Sequence, residues 1–376
     1  MQQISQQRGL SLIELMIGIL LSSVLLLGVL QIFQSNSDTM RMQTAFSRVQ
    51  ESGRFAVDLL SREIRSADYW GCAPDLDSIE NHLSAGSGFF ASVGADGVQG
   101  VNDAKSSEKV DSVDVVDGTD ILILSGAVDA CGGAGRMVDP TDSSAYDLEV
   151  SSNCPVKKGQ VVLVSNCKAG DVMVISAVNG DLGSGNRTIE HDTGAISGST
   201  MTNTSSTLAQ GYGADSKILL PYQRTYFIAE SATGTNSLFV SDEDSNTQEL
   251  VPGIEDMQVS YGRDTTGNGV VNTWLDASSD LGVMEDITAI KLQLLVASEG
   301  NASVDSQKIT TLDGTETTYT DGRLRKLYVA TVKVRNRGNC NDNDEPTTGC
   351  RADGQPDHPA GADSYWYIRR ARRTDE

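Results

Sequence analysis

From Leu10 to Phe33 the chain reads LSLIELMIGILLSSVLLLGVLQIF, a 24-residue apolar run whose one charge is Glu14. As a helix rising about 1.5 Å per residue it spans ~36 Å, enough to cross a hydrocarbon core of ~30 Å. A secretory signal has a shorter apolar stretch closed by a small-residue cleavage site. Here the chain continues instead into a polar but periodic pattern. Met42, Phe46, Val49, Gly53, Ala56, Leu60, Ile64 and Ala67 recur at three- and four-residue intervals, the spacing of one helical face. Arg41, Arg48, Glu51, Asp58, Arg62 and Arg65 fall mainly on the other face. The pattern predicts one retained helix, membrane-spanning over 10–36 and amphipathic over 37–68, with its apolar stripe packed on a head.

Past residue 69 the period shortens. Strand-like runs recur at Asp120–Leu124 (DILIL), Gln160–Val164 (QVVLV), Asp171–Ile175 (DVMVI), Arg224–Ile228 (RTYFI), Ser237–Val240 (SLFV), Met257–Tyr261 (MQVSY), Ile287–Ala297 and Leu327–Val334. Their β-branched and aromatic content and turn-rich borders predict a mostly antiparallel sheet packed on the helix, an α+β class. Residues 73–110 and 185–215, rich in Gly, Ser, Thr and Asp, read as loops or insertions where specific function resides.

Composition narrows the function classes. Acidic residues outnumber basic ones 51 to 29, a formal net charge of −22 in 376 residues, so the bulk surface repels nucleic-acid phosphate and anionic headgroups. Cys72, Cys131, Cys154, Cys167, Cys340 and Cys350 form an even set without a CxxC pair, which favours disulfides in an oxidising compartment over metal or redox chemistry. Six cysteines allow fifteen pairings. Short spacing favours Cys154 with Cys167 and Cys340 with Cys350, leaving Cys72 with Cys131.

Two stretches carry cation-like oxygen sets. Asp264–Gly269 (DTTGNG), with Asp264 and Asn268, matches part of a calcium loop. It departs at Thr266, where Asp or Asn is needed, and at Leu275, where a bidentate Glu belongs. A hairpin turn is the better reading. Asp342 and Asp344, between Cys340 and Cys350, offer a second weak calcium candidate and read first as a solvated acidic tip. His82, His191 and His358 show no zinc-type spacing and no neighbouring nucleophile motif, so no catalytic machinery and no cofactor are expected. Gly183 and Gly185 lack the strand and helix of a dinucleotide loop and read as turn glycines. Trp366–Arg373 (WYIRRARR) reads as an edge strand with charged gatekeepers.

Glu14 alone reads as an interfacial acid whose carboxylate reaches the headgroups. Its flanks change that reading. A short polar leader, MQQISQQR, precedes Gly9, Leu10, Ser11, Leu12, Ile13 and Glu14, and this arrangement resembles the class III signal of type IV prepilins. The resemblance implies cleavage between Gly9 and Leu10 by a prepilin peptidase, methylation of the Leu10 amine, and Glu14 as the acid at the fifth mature position. Such an acid pairs with the N-terminal ammonium of a neighbouring subunit in a low-dielectric filament core. Glu51–Cys72 (ESGRFAVDLLSREIRSADYWGC) further resembles the helix end of PilW-type minor pilins and J-type pseudopilins. Gly159–Cys167 (GQVVLVSNC), Glu249–Gly253 (ELVPG) and Val259–Asn272 also look like PilW-family positions. One departure is the absence of the helix-breaking proline common in major pilins, Gly28 being the soft point in that half of the run.

The resemblance implies a pilin fold: leader 1–9, hydrophobic helix 10–36, amphipathic helix 37–68 and a periplasmic or extracellular β-rich head 69–376. It further implies a minor pilin, not an enzyme. Such a protein sits first in the inner membrane and then at or near the pilus tip, where it primes assembly and supports twitching motility and adhesion. Its expected partners are other minor and major pilins, prepilin peptidase, the inner-membrane assembly platform and a tip adhesin. Two alternatives stand beside it: a J-type pseudopilin of a type II secretion system, and a membrane-anchored periplasmic binding or adhesion module whose acidic loops recruit calcium.

Overall fold

The fold is that of a computed structural model. It describes residues 11–337 apart from 72–77, 85–88, 91, 92, 94–96, 133–136, 138–146, 167, 198, 213, 215, 267, 278–283, 285 and 313. The helix α1 (Leu12–Ser66) runs for 55 residues, about 80 Å at 1.5 Å per residue. It passes through Gly28 without a break, so the missing proline corresponds to an uninterrupted rod.

The strands follow in order. They are β1 (Ile79–Asn81), β2 (Val98–Val101), β3 (Lys109–Val110), β4 (Val113–Asp114), β5 (Ile121–Asp129), β6 (Asp147–Val150) and β7 (Val161–Ser165). Next come β8 (Gly170–Val174), β9 (Ala177–Asn179), β10 (Arg187–Glu190), β11 (Gly194–Ala195), β12 (Thr202–Asn203), β13 (Lys217–Glu230) and β14 (Asn236–Asp242). The last are β15 (Thr247–Pro252), β16 (Ile254–Arg263), β17 (Thr273–Leu275), β18 (Ile287–Ala297), β19 (Gln307–Thr310), β20 (Glu316–Tyr319) and β21 (Arg325–Lys333). An eight-stranded sheet runs β1-β8-β7-β13-β14-β15, with β5 also on β13 and β2 on β5. A second sheet runs β17-β16-β18-β21. All these pairs are antiparallel except β1 with β8, as expected of an α+β head.

The central strands are buried on both faces, which is why they read as continuous apolar runs rather than alternating ones. On β5, Leu122 and Leu124 join the main core while Ile121 and Ile123 face a satellite cluster. On β13, Tyr226 and Ile228 face the main core and Phe227 and Ala229 the satellite. The main core gathers Val49, Ala56, Leu60 and Ile64 of α1 with Ile254, Met257 and Val259 of β16 and Ile290, Leu292 and Leu294 of β18. The helical stripe is thus packed from Val49 onward. Met42 and Phe46, expected in the same packed stripe, stay 43% and 49% exposed, although the head already touches the helix at Asp38.

Two glycines set the approach of the layers. A Cβ on Gly53 would land inside the ring of Tyr328 on β21, whose hydroxyl donates to the Val49 carbonyl at 3.2 Å. Gly53→Val is therefore expected to destabilise the protein by about 2–3 kcal/mol through overpacking, read as a lowered thermal midpoint. Were the seam loose, Gly53→Ala would instead gain up to about 1 kcal/mol of helix propensity. Gly253, at φ +81°, ends the Glu249–Gly253 run and carries the chain from β15 into β16. It gives its carbonyl to the Ala297 amide at 2.8 Å, tying the turn to the end of β18.

The cysteine pairing differs from the one favoured by spacing. Cys131 is bonded to Cys154, which overturns both Cys154 with Cys167 and Cys72 with Cys131. Spacing ranks loop lengths, whereas β13 decides which ends meet. Leu219 pairs with Asp129 at the end of β5 on one side and with Leu163 of β7 on the other. Cys131 follows the first strand and Cys154 precedes the second, and both lie in a core with Met137, Leu148 and Val150. Cys72, Cys167, Cys340 and Cys350 lie outside the described residues. The stretches read as loops also contribute structure: β1 and β2 extend the large sheet, and β10 pairs with β6 and β9.

Candidate functional site

The candidate site is the exposed half of α1 and the joint that holds it to the head. Leu12 through Phe33 are exposed throughout, and this segment is long and apolar enough to cross a membrane. Ser11, in extended conformation, caps the helix, and its amide donates to Glu14 Oε2 at 3.4 Å. Glu14 therefore sits in the first turn, at the positive end of the helix dipole, with its carboxylate on the surface. Gly9 and Leu10 lie outside the described residues.

The rod meets the head gradually. Ser303 donates to Asp38 at 3.1 Å in a half-buried contact, and Arg48 pairs with Glu299 at 3.2 Å on the surface. The exposed ion pair is worth ~0.2–1 kcal/mol, so it steers the helix more than it holds it. Further along, the half-buried Glu63 pairs with Arg224 of β13.

The helix ends on Asp68. Its φ of +62° turns the chain out of the helix, and its amide donates to the Ser125 carbonyl of β5 at 2.7 Å. Oδ1 accepts from the Trp70 indole and the Gly97 amide, each at 3.0 Å. Oδ2 accepts from the buried Arg337 guanidinium, which also donates to the Met284 carbonyl. One carboxylate thus fastens the helix terminus to both sheets. Periodicity locates where the helix stops but is silent on this hub, because its partners lie 29 and 269 positions away.

The calcium candidates resolve unevenly. Asp264 is buried, and its carboxylate accepts from the Thr266 amide and hydroxyl at 3.0 Å and from the Gly269 amide at 2.6 Å. Asn268 accepts from the Val270 amide at 2.9 Å. These oxygens close the turn between β16 and β17, the hairpin geometry. Asp342 and Asp344 lie outside the described residues, as do His358 and Trp366–Arg373.

One constellation was missed by local spacing. His82, just past β1, contacts Asp171 on β8 through Nε2, and Asp171 also accepts from Tyr212 and from the Ala209 amide at 3.0 Å. Glu80 joins them, one ligand atom from each of the three residues lying within 4.8 Å of the others. Burial, then the adjacent Asp171 charge, pushes the Tyr212 hydroxyl far above its ordinary pKa, so it remains a proton donor to that carboxylate. The one available signal was the alternation Glu80-Asn81-His82, which puts two ligands on one face of a strand.

Comparison with known families matches residues 4–30 to the prokaryotic N-terminal methylation motif and residues 225–336 to type IV pilus-assembly protein W. The second match begins in β13 and runs through β21 to Asn336, so it covers the four-stranded sheet that grips the helix. No curated protein and no solved structure matches.

Proposed function

We propose, from the premise that this chain is a PilW-like type IV minor pilin, that it primes pilus assembly from a place at or near the tip. A pilin of this kind is a structural part of the fibre and not an enzyme. In this reading prepilin peptidase cuts between Gly9 and Leu10 and methylates the Leu10 amine. The subunit waits in the inner membrane with its head in the periplasm, then passes into the fibre beside other minor and major pilins. There it supports twitching motility and adhesion. The observation that carries the reading is a fully exposed apolar helix, acidic in its first turn, continuous with a helix half packed into a β-rich head. A membrane anchor alone needs the apolar run. It does not need a carboxylate in the first turn, a position near the interface that lipid tolerates but that adds nothing to anchoring.

The test is the intact mass of the protein recovered from sheared filaments. The expected mass is that of a chain beginning at methylated Leu10, and Gly9→Val should leave the leader attached and the protein in the membrane fraction. A filament-free protein that still begins at Met1 in the wild type would overturn the proposal.

A further inference from the structure

We propose that Glu80, His82 and Asp171 form a binding site for one borderline divalent cation, of which zinc is the representative. The inference stands apart from the pilus reading and rests on strand geometry. Glu80 and His82 are two residues apart on an extended segment and share a face. In the parallel pairing of β1 with β8, Glu80 lies directly opposite Asp171, so the two carboxylates and the imidazole converge on one side of the sheet. Like charges placed opposite each other destabilise a strand pair, and a cation between them reverses that sign.

The donor set is one nitrogen and two carboxylate oxygens, the kind that zinc accepts in three-ligand sites with a fourth position open to water. The surrounding shell suits a metal. Asp171 is fully buried and held by Tyr212 and the Ala209 amide, the outer hydrogen bonds that orient a ligating carboxylate. Tyr212 is itself fully buried beside Met173 and Val164, so its hydroxyl is fixed on Asp171 by packing. His82 is 7% exposed and Glu80 exposed, which leaves an entry path from solvent on the Glu80 side. Binding requires the His82 and Asp171 contact to open enough to admit the ion, a movement of side chains alone, because the His82 amide is held by the Val172 carbonyl and its carbonyl by the Thr204 amide.

The competing reading is a structural hydrogen bond between His82 and Asp171 with no ion. Thermal unfolding of the full-length protein in detergent micelles, with and without zinc chloride, separates the two. At zinc a hundredfold above its Kd the melting midpoint is expected to rise by roughly 5 °C, with equilibrium dialysis giving one ion per chain. Glu80→Gln removes an exposed ligand without touching the buried network, so the metal-free midpoint should not fall and should rise slightly as the facing charge is lost. Its zinc affinity should fall at least about tenfold, and His82→Gln should abolish the shift. No zinc-dependent shift in the wild type, or an undiminished one in Glu80→Gln, would overturn the site while leaving the pilus reading untouched.

Discussion

Replacing Glu14 with glutamine is expected to leave synthesis, leader removal and membrane insertion intact while reducing the share of the protein in filaments to about one hundredth or less of wild type. Two effects of the substitution compete, and their sizes decide the outcome. Loss of the long 3.4 Å bond from the Ser11 amide costs the helix start at most about 1 kcal/mol. Removing the carboxylate also makes the helix easier to hold in lipid. In a filament core, by contrast, the neighbouring ammonium would lose its partner in low dielectric, a penalty of about 3–5 kcal/mol. The second effect is the larger, so incorporation fails although the membrane form is unharmed. Quantitative immunoblots of sheared filaments against membranes measure the ratio. A variant that enters filaments as well as the wild type would show that Glu14 makes no such pair.

The second large effect is expected at Asp68. Asp68→Ala withdraws the carboxylate from a guanidinium that is 8% exposed and orphans the Trp70 indole and the Gly97 amide. It also places alanine at φ +62°. Stranding a buried charge alone costs about 3–5 kcal/mol, a large part of the 5–15 kcal/mol that typically separates native from unfolded. The head should then lose its grip on the end of the helix, with the midpoint of chemical denaturation falling steeply when followed by Trp70 fluorescence. A double variant, Asp68→Asn with Arg337→Met, removes both charges and keeps an acceptor for Trp70 and Gly97. It should lose about half as much or less, since deleting both members of a buried pair spares the stranded charge. A loss below ~1 kcal/mol in Asp68→Ala would refute the hub.

These two residues mark what the sequence made legible. Glu14 stands out because a lone charge in a long apolar run violates a one-dimensional pattern, and the leader beside it is equally local. The helix is legible for the same reason, as are the doubly buried strands, whose apolar runs in β5, β7, β13 and β18 are dense enough to need no partner information. The residues that tie those elements together are not visible in this way. Asp68 meets Arg337, Glu63 meets Arg224, and His82 meets Asp171 only after β13 and β8 have taken their places in the sheet. The cysteines show the same limit. Chain separation favours Cys154 with Cys167, but the bond to Cys131 follows from which strand ends a central strand brings together. Met42 and Phe46 mark the opposite limit, apolar positions in the same period that the head leaves open.

The unbroken helix has a mechanical consequence. Because no break in the helix separates its foot from its top, a pull on the N-terminal end reaches the head through one continuous element. The seam from Asp38 to Asp68 lies along the direction of pull, so its surface pairs, the Tyr328 contact at Gly53 and the terminal carboxylate are loaded together in shear instead of peeling apart one by one. Under tension such a subunit behaves as a stiff tie rod.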